Sequence, residues 1–193
     1  MFNEKAKTAD AVGAALERLF ESTESAGAGG VYHIECRDKD GNLKWSAESH
    51  NLVVNGGLQD MNNKYFLGSA YTATWYIGIY GAAASNNPAA SDTASSHAGW
   101  TEVTPYSNAT RPACTFGSPT LADPSVITNS LSPAQFNINA TQTVGGAFLI
   151  SNNVKGGSLG VLFSASDFQS PGDRSVASGD TLNVTYTFSL DAA

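Results

Sequence analysis

The sequence predicts a mainly β protein: an antiparallel β-sandwich, jelly-roll or immunoglobulin-like, preceded by an N-terminal amphipathic helix arm. Three observations carry this expectation. Only 14% of the 193 residues are charged, against roughly 25% in an average soluble domain. The chain's polarity comes instead from 22 Ser, 16 Thr, 15 Asn and 19 Gly, not the Ala, Glu, Lys and Leu of helical bundles. From Trp100 onward, short alternating runs are broken by turn residues at roughly even spacing, the signature of a sandwich.

The elements follow in chain order. Ala9, Val12, Leu16, Leu19 and Phe20 fall at helical spacing, which predicts a helix over 8–22. Thr8 or Asp10 caps its start, and Gly27 with the glycines after it ends it. Residues 21–30 read as a Ser/Gly/Ala linker, so residues 1–29 form an arm and 30–193 the sandwich domain. A helix this short is marginal alone and needs a surface, either its own domain or a neighbouring subunit.

Residues 31–49 read as a β-hairpin. Tyr32, Ile34 and Cys36 alternate with His33 and Glu35, Asp38 to Gly41 turn the chain, and Leu43, Trp45 and Ala47 alternate again. A short helix over 57–66 would place Leu58, Met61 and Tyr65 on one face. The strand 75–80 has Trp75, Ile77 and Ile79 on one side. Residues 81–99 are expected to form a long surface excursion, with one helical turn over 92–96. Further strands are expected at 101–106, 110–116, 134–139, 142–151, 159–164 and 181–190. The last alternates Leu182, Val184, Tyr186, Phe188 and Leu190 with Asn183, Thr185, Thr187 and Ser189. One face is apolar and the other wet. Gly145-Gly146 inside a strand pattern marks a bulge or a close backbone approach.

Charge excludes several function classes. Net charge is −7, and no cluster of Lys and Arg is present to meet a nucleic-acid backbone or an anionic membrane. No apolar run is long enough to span a bilayer, and Met1 to Lys7 lack the apolar core of a secretory signal. Seventeen of the 27 charged residues lie in 1–64, leaving a nearly neutral remainder.

Chemistry-bearing patterns are sparse. His33, His50 and His97 lack a second His or Cys at metal-ligand spacing. Asp38, Asp40 and Asn42 resemble the start of a calcium loop but lack its closing Glu, so a hairpin turn is expected. Cys36 and Cys114 are expected as buried thiols, with one disulfide as the alternative. No nucleophile elbow, phosphate loop or zinc-protease motif occurs. The β-rich part offers scattered Asp and a single Glu, Glu102, for acid–base work. No catalytic residue, metal or cofactor is expected.

The block VYHIECRDKDGNLKWSAESHNLVVNGGLQDMNNKYF, followed by TATWYIGIYG, SSHAGWTEVTPYSNATRPA and SVASGDTLNVTYTFSL, resembles a family of small tailed-phage virion proteins. The resemblance covers most of residues 30–190. It implies a structural protein of the virion, assembled in the host cytoplasm. One expected role is head decoration: a cement protein, most simply a homotrimer, that contacts the major capsid protein and itself. The other is a tail-tip or fibre-associated adhesin for host surface glycans. The arm and the first hairpin are the expected contact elements. Expected interface residues are Val12, Leu16, Leu19 and Phe20 on the arm, with Trp75, Tyr76, Tyr80, Trp100 and Tyr106 around the long loop. Strands are also enriched in aromatics, so about half of these five are expected to be core.

Overall fold

The computed structural model describes residues 27–72, 74–81, 88–168 and 172–192. The expected helix over 8–22 lies outside them. In chain order the elements are β1 (Gly27–Arg37), β2 (Leu43–His50), β3 (Leu52–Val53), α1 (Asn55–Phe66), β4 (Trp75–Gly81), β5 (Thr101–Glu102), β6 (Ala113–Cys114), β7 (Ser125–Thr128), β8 (Ala134–Asn137), β9 (Gln142–Val144), β10 (Gly146–Ile150), β11 (Leu162–Asp167), β12 (Arg174–Val176) and β13 (Thr181–Asp191). The protein is mainly β, and every strand pairing is antiparallel.

The first sheet runs β2-β1-β13, and both β7 and β8 pair with the far edge of β13. The alternation read from sequence sets its register. Tyr32, Ile34 and Cys36 stand opposite Tyr186, Val184 and Leu182, and all six are fully buried. Their neighbours His33, Glu35, Thr185 and Asn183 line the other face. β1 begins at Gly27, whose partner is Asp191.

A side chain repairs the edge of β13 where β7 and β8 part. Asn129 Oδ1 accepts from Tyr186 N at 2.7 Å, and Asn129 Nδ2 donates to Val184 O at 3.2 Å. The Asn129 amide therefore stands in for the missing strand, and it is fully buried. Buried backbone groups must find partners, and the loop leaving after Asn129 would otherwise strand two of them.

The second sheet runs β3-β11-β10-β4, with β5 and β6 both on the free edge of β4. It is covered on both faces. Ile77, Ile79, Ala147 and Leu149 join the core shared with the first sheet. Tyr80, Phe148, Ile150, Leu162 and Ala165 form a second core on the opposite side. Burial on both faces explains why β10 reads as a continuous apolar run. Two glycines make room for rings across the strands: a Cβ at Gly78 would overlap the Phe148 ring, and one at Gly146 the Tyr80 ring. Gly146 thus marks a close approach.

Residues 88–100 supply the cover for the second core, in place of the expected surface excursion. Ala94 and Trp100 are buried against Tyr80 and Phe148. Asp92 holds the segment in shape, accepting from Ala89 N at 3.0 Å and Trp100 Nε1 at 2.9 Å. An apolar outer sheet face needs a lid, and this polar-looking segment carries the two apolar side chains that provide it.

A buried ion pair fastens the same region. Arg111 Nε and Nη2 donate to Glu102 Oε1 and Oε2 at 2.8 and 2.7 Å. Arg111 also donates to Asn152 O at 2.8 Å and Gly157 O at 3.0 Å, while Glu102 accepts from Gly156 N at 2.7 Å. The two side chains are 2% and 7% exposed, so the fork pins the 152–157 turn onto the sheet.

Helix α1 and the β9–β12 ribbon close opposite ends of the sandwich. Val144 and Val176 of the ribbon enter the shared core, and Trp45 Nε1 donates to Ser175 O at 3.1 Å. α1 turns a different face inward than the sequence suggests. Gly57 sits so close to the Phe163 carbonyl that a Cβ would collide with it. Met61 packs on the core, and Lys64 Nζ lies 5.7 Å from the centre of the Trp75 ring. Leu58 and Tyr65 are consequently exposed. The smallest residue, not the largest, allows the closest approach.

Candidate interaction surfaces

Most polar chemistry of the described residues is spent within the fold. Tyr32 and Tyr186 stack with ring centres 4.4 Å apart, and their hydroxyls meet β11. The Tyr32 hydroxyl lies 2.9 Å from Ser164 Oγ, and Asn51 Nδ2 donates to Tyr186 OH at 2.8 Å. Ser49 and Ser166 pair at 2.8 Å. These bonds tie the two sheets across the buried interior, where an unpaired hydroxyl would cost about 1–3 kcal/mol.

Several titratable groups are similarly engaged. His97 stacks on Trp100 at 3.9 Å, and its Nδ1 lies 2.9 Å from Trp100 O. His33 stands opposite Glu48, while Glu35 pairs with Arg37 at 2.9 Å. Asp38 Oδ1 accepts from Asp40 N and Asn42 N, both at 2.9 Å. The hydrogen bond from the Asn42 side chain leads in holding its carboxyl below the ordinary value. That is a hairpin turn closed on itself. Among the described residues no group of three or more His, Cys, Asp or Glu is placed to hold a metal ion.

Both cysteines are free and buried, so the disulfide alternative is not realised. Burial pushes each thiol up to about 12, far from a reactive thiolate. Cys36 Sγ donates to Asp180 Oδ2 at 3.7 Å. Asp180 also accepts from Lys44 Nζ at 2.5 Å and Ala177 N at 2.8 Å. Burial alone would raise its carboxyl, but the Lys44 and Ala177 bonds outweigh it and the net shift is downward. The folded state therefore binds fewer protons at Asp180 than the unfolded chain does. The stability this gives is present above the ordinary carboxyl range and is lost as pH falls through the folded value. Lys44 is a third exposed, which limits the gain. Asp180→Asn should cost about 1 kcal/mol at neutral pH, and the gap to the native protein should narrow below about pH 4. Thermal melts of both proteins across that range check this.

The expected interface residues divide. Val12, Leu16, Leu19 and Phe20 lie outside the described residues. Tyr80, Trp100 and Tyr106 are buried within the chain's own core, the outcome expected of about half of the five aromatics. Tyr80 donates to Ser166 O at 2.8 Å, Trp100 to Asp92, and Tyr106 sits edge-on to Phe136 at 5.0 Å. Their rings have no surface left to offer a partner. Trp75 and Tyr76 are half-buried, with Trp75 edge-on to Phe163 at 5.5 Å.

The large apolar side chains that do face water lie elsewhere. Tyr65, Phe66, Leu67 and Tyr71 cluster at the end of α1, and Leu121 and Leu131 stand fully exposed on the loops flanking β7. The 117–120 segment is bonded along β7, with Gly117 N to Thr128 O and Thr120 N to Val126 O, both 2.9 Å. Leu121 therefore projects from an anchored loop. Three consecutive large apolar residues, Tyr65-Phe66-Leu67, were the available signal: successive helix positions are about 100° apart, so one helix face cannot bury all three.

Two pockets among the described residues are small or shallow. One cavity of about 10 Å³ lies among His97, Trp100, Glu102, Arg111 and Gly157, room for about one water. A shallow depression of about 370 Å³ lies beside Asp123, Ser125 and Leu190. Comparison with family models, with curated proteins and with solved structures finds no match.

Proposed function

We propose that the protein is a phage virion structural protein that decorates the head, a cement protein and not an enzyme. It would bind the major capsid protein and further copies of itself, as a homotrimer, through non-covalent contacts. The observation that carries this reading is the division of labour among side chains. Several polar and titratable groups bond within the fold, while the exposed Leu121 and Leu131 stand on loops beside the charge-poor strands β7, β8 and β13. Rigid apolar anchors on a neutral surface suit wide, repeated contacts, and many weak copies together hold a shell through multivalency. The resemblance of the 30–190 blocks to small tailed-phage virion proteins supports the same reading. We also propose that the sandwich is of jelly-roll or immunoglobulin-like kind, with the first and last described strands side by side inside one sheet.

Purified protein mixed with heads lacking it should co-sediment in many copies. The double variant Leu121→Asp/Leu131→Asp should lose roughly tenfold or more in occupancy while keeping its melting temperature. Unchanged occupancy would remove these loops from the contact. The second reading, a tail-tip adhesin, draws on the wet face of the first sheet, where Gln135, Asn183 and Thr185 present amides and a hydroxyl. Labelled protein found as a few copies at one vertex, and binding host glycans, would favour that reading instead.

A further inference from the structure

The sequence contains a single Asn-Gly step, Asn55-Gly56, and the fold places it at the start of α1. Attack of the following backbone nitrogen on an asparagine side-chain carbonyl closes a five-membered ring. A side chain on the following residue obstructs that attack, and glycine has none.

Both reacting groups are available. Asn55 is exposed, and its side chain makes no hydrogen bond with another described residue. The Gly56 N–H has no acceptor among the described residues. Its neighbours are engaged: Gly57 N and Leu58 N donate to Val54 O at 2.9 and 3.1 Å, and Asn55 N donates to Ala90 O at 2.8 Å. First-turn amides lack intrahelical acceptors, and Val54 at the cap offers no side-chain bond.

Packing does not require this glycine. A Cβ at Gly57 would collide with the Phe163 carbonyl, but one at Gly56 would meet only Leu162 O, at an ordinary 3.7 Å. Glycine is a poor helix former. Gly56 therefore loosens the first turn of α1 without making room for a neighbour, and opening of that turn lets the ring close.

We propose that Asn55 is a site of spontaneous covalent modification, converting to aspartate and isoaspartate through a succinimide with Gly56. The Gly56 nitrogen loses its proton to solvent and bonds to Asn55 Cγ. The Cγ–Nδ2 bond breaks, and the side-chain nitrogen leaves as ammonia. Water then opens the ring at either carbonyl, with no oxidation or reduction. One opening leaves aspartate. The other routes the main chain through the former side chain and lengthens it by one methylene.

The position lies on a tight seam. Val54 is fully buried, its N donates to Phe163 O at 3.0 Å, and Asn55 N holds Ala90 in the segment that covers the second core. Aspartate adds a negative charge to a first turn that favours one and has none. Isoaspartate displaces α1 from Val54 and loosens the hold on Ala90. The reaction needs only this chain and water, so it is independent of whether the protein decorates a head.

Incubation of the purified full-length protein in mildly alkaline buffer, followed by peptide mapping, tests this. The peptide containing position 55 should gain about one mass unit, with one oxygen taken from isotopically labelled water. Aspartate and isoaspartate forms should both appear. Gly56→Ala should keep the melting temperature and slow the conversion several-fold. The chain unfolded in urea supplies a reference that no variant can disturb. Conversion in urea with none in the native protein would mean that the helix protects the step, and would overturn the proposal. A rate unchanged by Gly56→Ala, or aspartate without isoaspartate, would overturn it as well.

Discussion

Replacing Arg111 by methionine should destabilise the protein by about 3–5 kcal/mol, because it leaves the Glu102 carboxylate buried without its counter-charge. At this chain length that is a fall in Tm of about 10 °C. Four Arg111 hydrogen bonds disappear, and Glu102 keeps only the Gly156 amide. The stacking of the guanidinium over Phe148, 5.4 Å from ring centre to Cζ, is lost too. The 152–157 turn should loosen before the rest of the fold, since the carbonyls of Asn152 and Gly157 lose their donor. The double variant Glu102→Leu/Arg111→Met should recover part of the loss, since an apolar pair removes the stranded charge. Urea unfolding of the single and double variants measures this. A single variant costing under 1 kcal/mol would mean that water reaches Glu102.

Asn129→Ala should cost about 2–6 kcal/mol, the sum of two buried backbone groups left unpaired at about 1–3 kcal/mol each. The groups are Tyr186 N–H and Val184 C=O, on the edge of β13 where β7 and β8 part. Asn129→Asp should be no better, since it keeps an acceptor for Tyr186 N but turns a second acceptor toward the Val184 carbonyl. Hydrogen exchange gives the residue-level readout. The Tyr186 amide should be protected in the native protein and among the first of β13 to exchange in the alanine variant.

The elements legible in the sequence were those whose two faces differ. β13 alternates apolar and hydroxyl residues, so its period and its buried face followed from the residues alone. The β1–β2 hairpin and the Trp75, Ile77, Ile79 face of β4 were legible for the same reason. β11 was legible only in its first half. Ser164 and Ser166 look like loop residues, yet they point into the interior, because tyrosine and serine hydroxyls from the other sheet meet them there. The 88–100 segment failed similarly: its composition is that of a loop, and the burial of Ala94 and Trp100 is decided by an apolar sheet face distant in sequence. Asn129 carries no sequence signal, since only the gap between β7 and β8 gives its amide a task. The strands β3, β7 and β12 have two to four residues each, too few for a period to show. For the surfaces, aromatic content pointed to Tyr80, Trp100 and Tyr106, but rings flanking a sheet's apolar face are drawn inward. The residues left outside were the run at the end of α1 and lone leucines in turns.

The pairing of Gly27 with Asp191 has a topological consequence. Register partners in an antiparallel ladder lie about 4.5–5.5 Å apart at Cα, so the two ends of the described β framework are neighbours. A short linker could join them, and a cut in the exposed Asp38–Asn42 turn would open new ends at the opposite pole. Such a circular permutant would keep every rung of the eleven-residue β1–β13 ladder. In that sense the described framework is nearly a ring, and the same packing allows it to be opened at more than one turn.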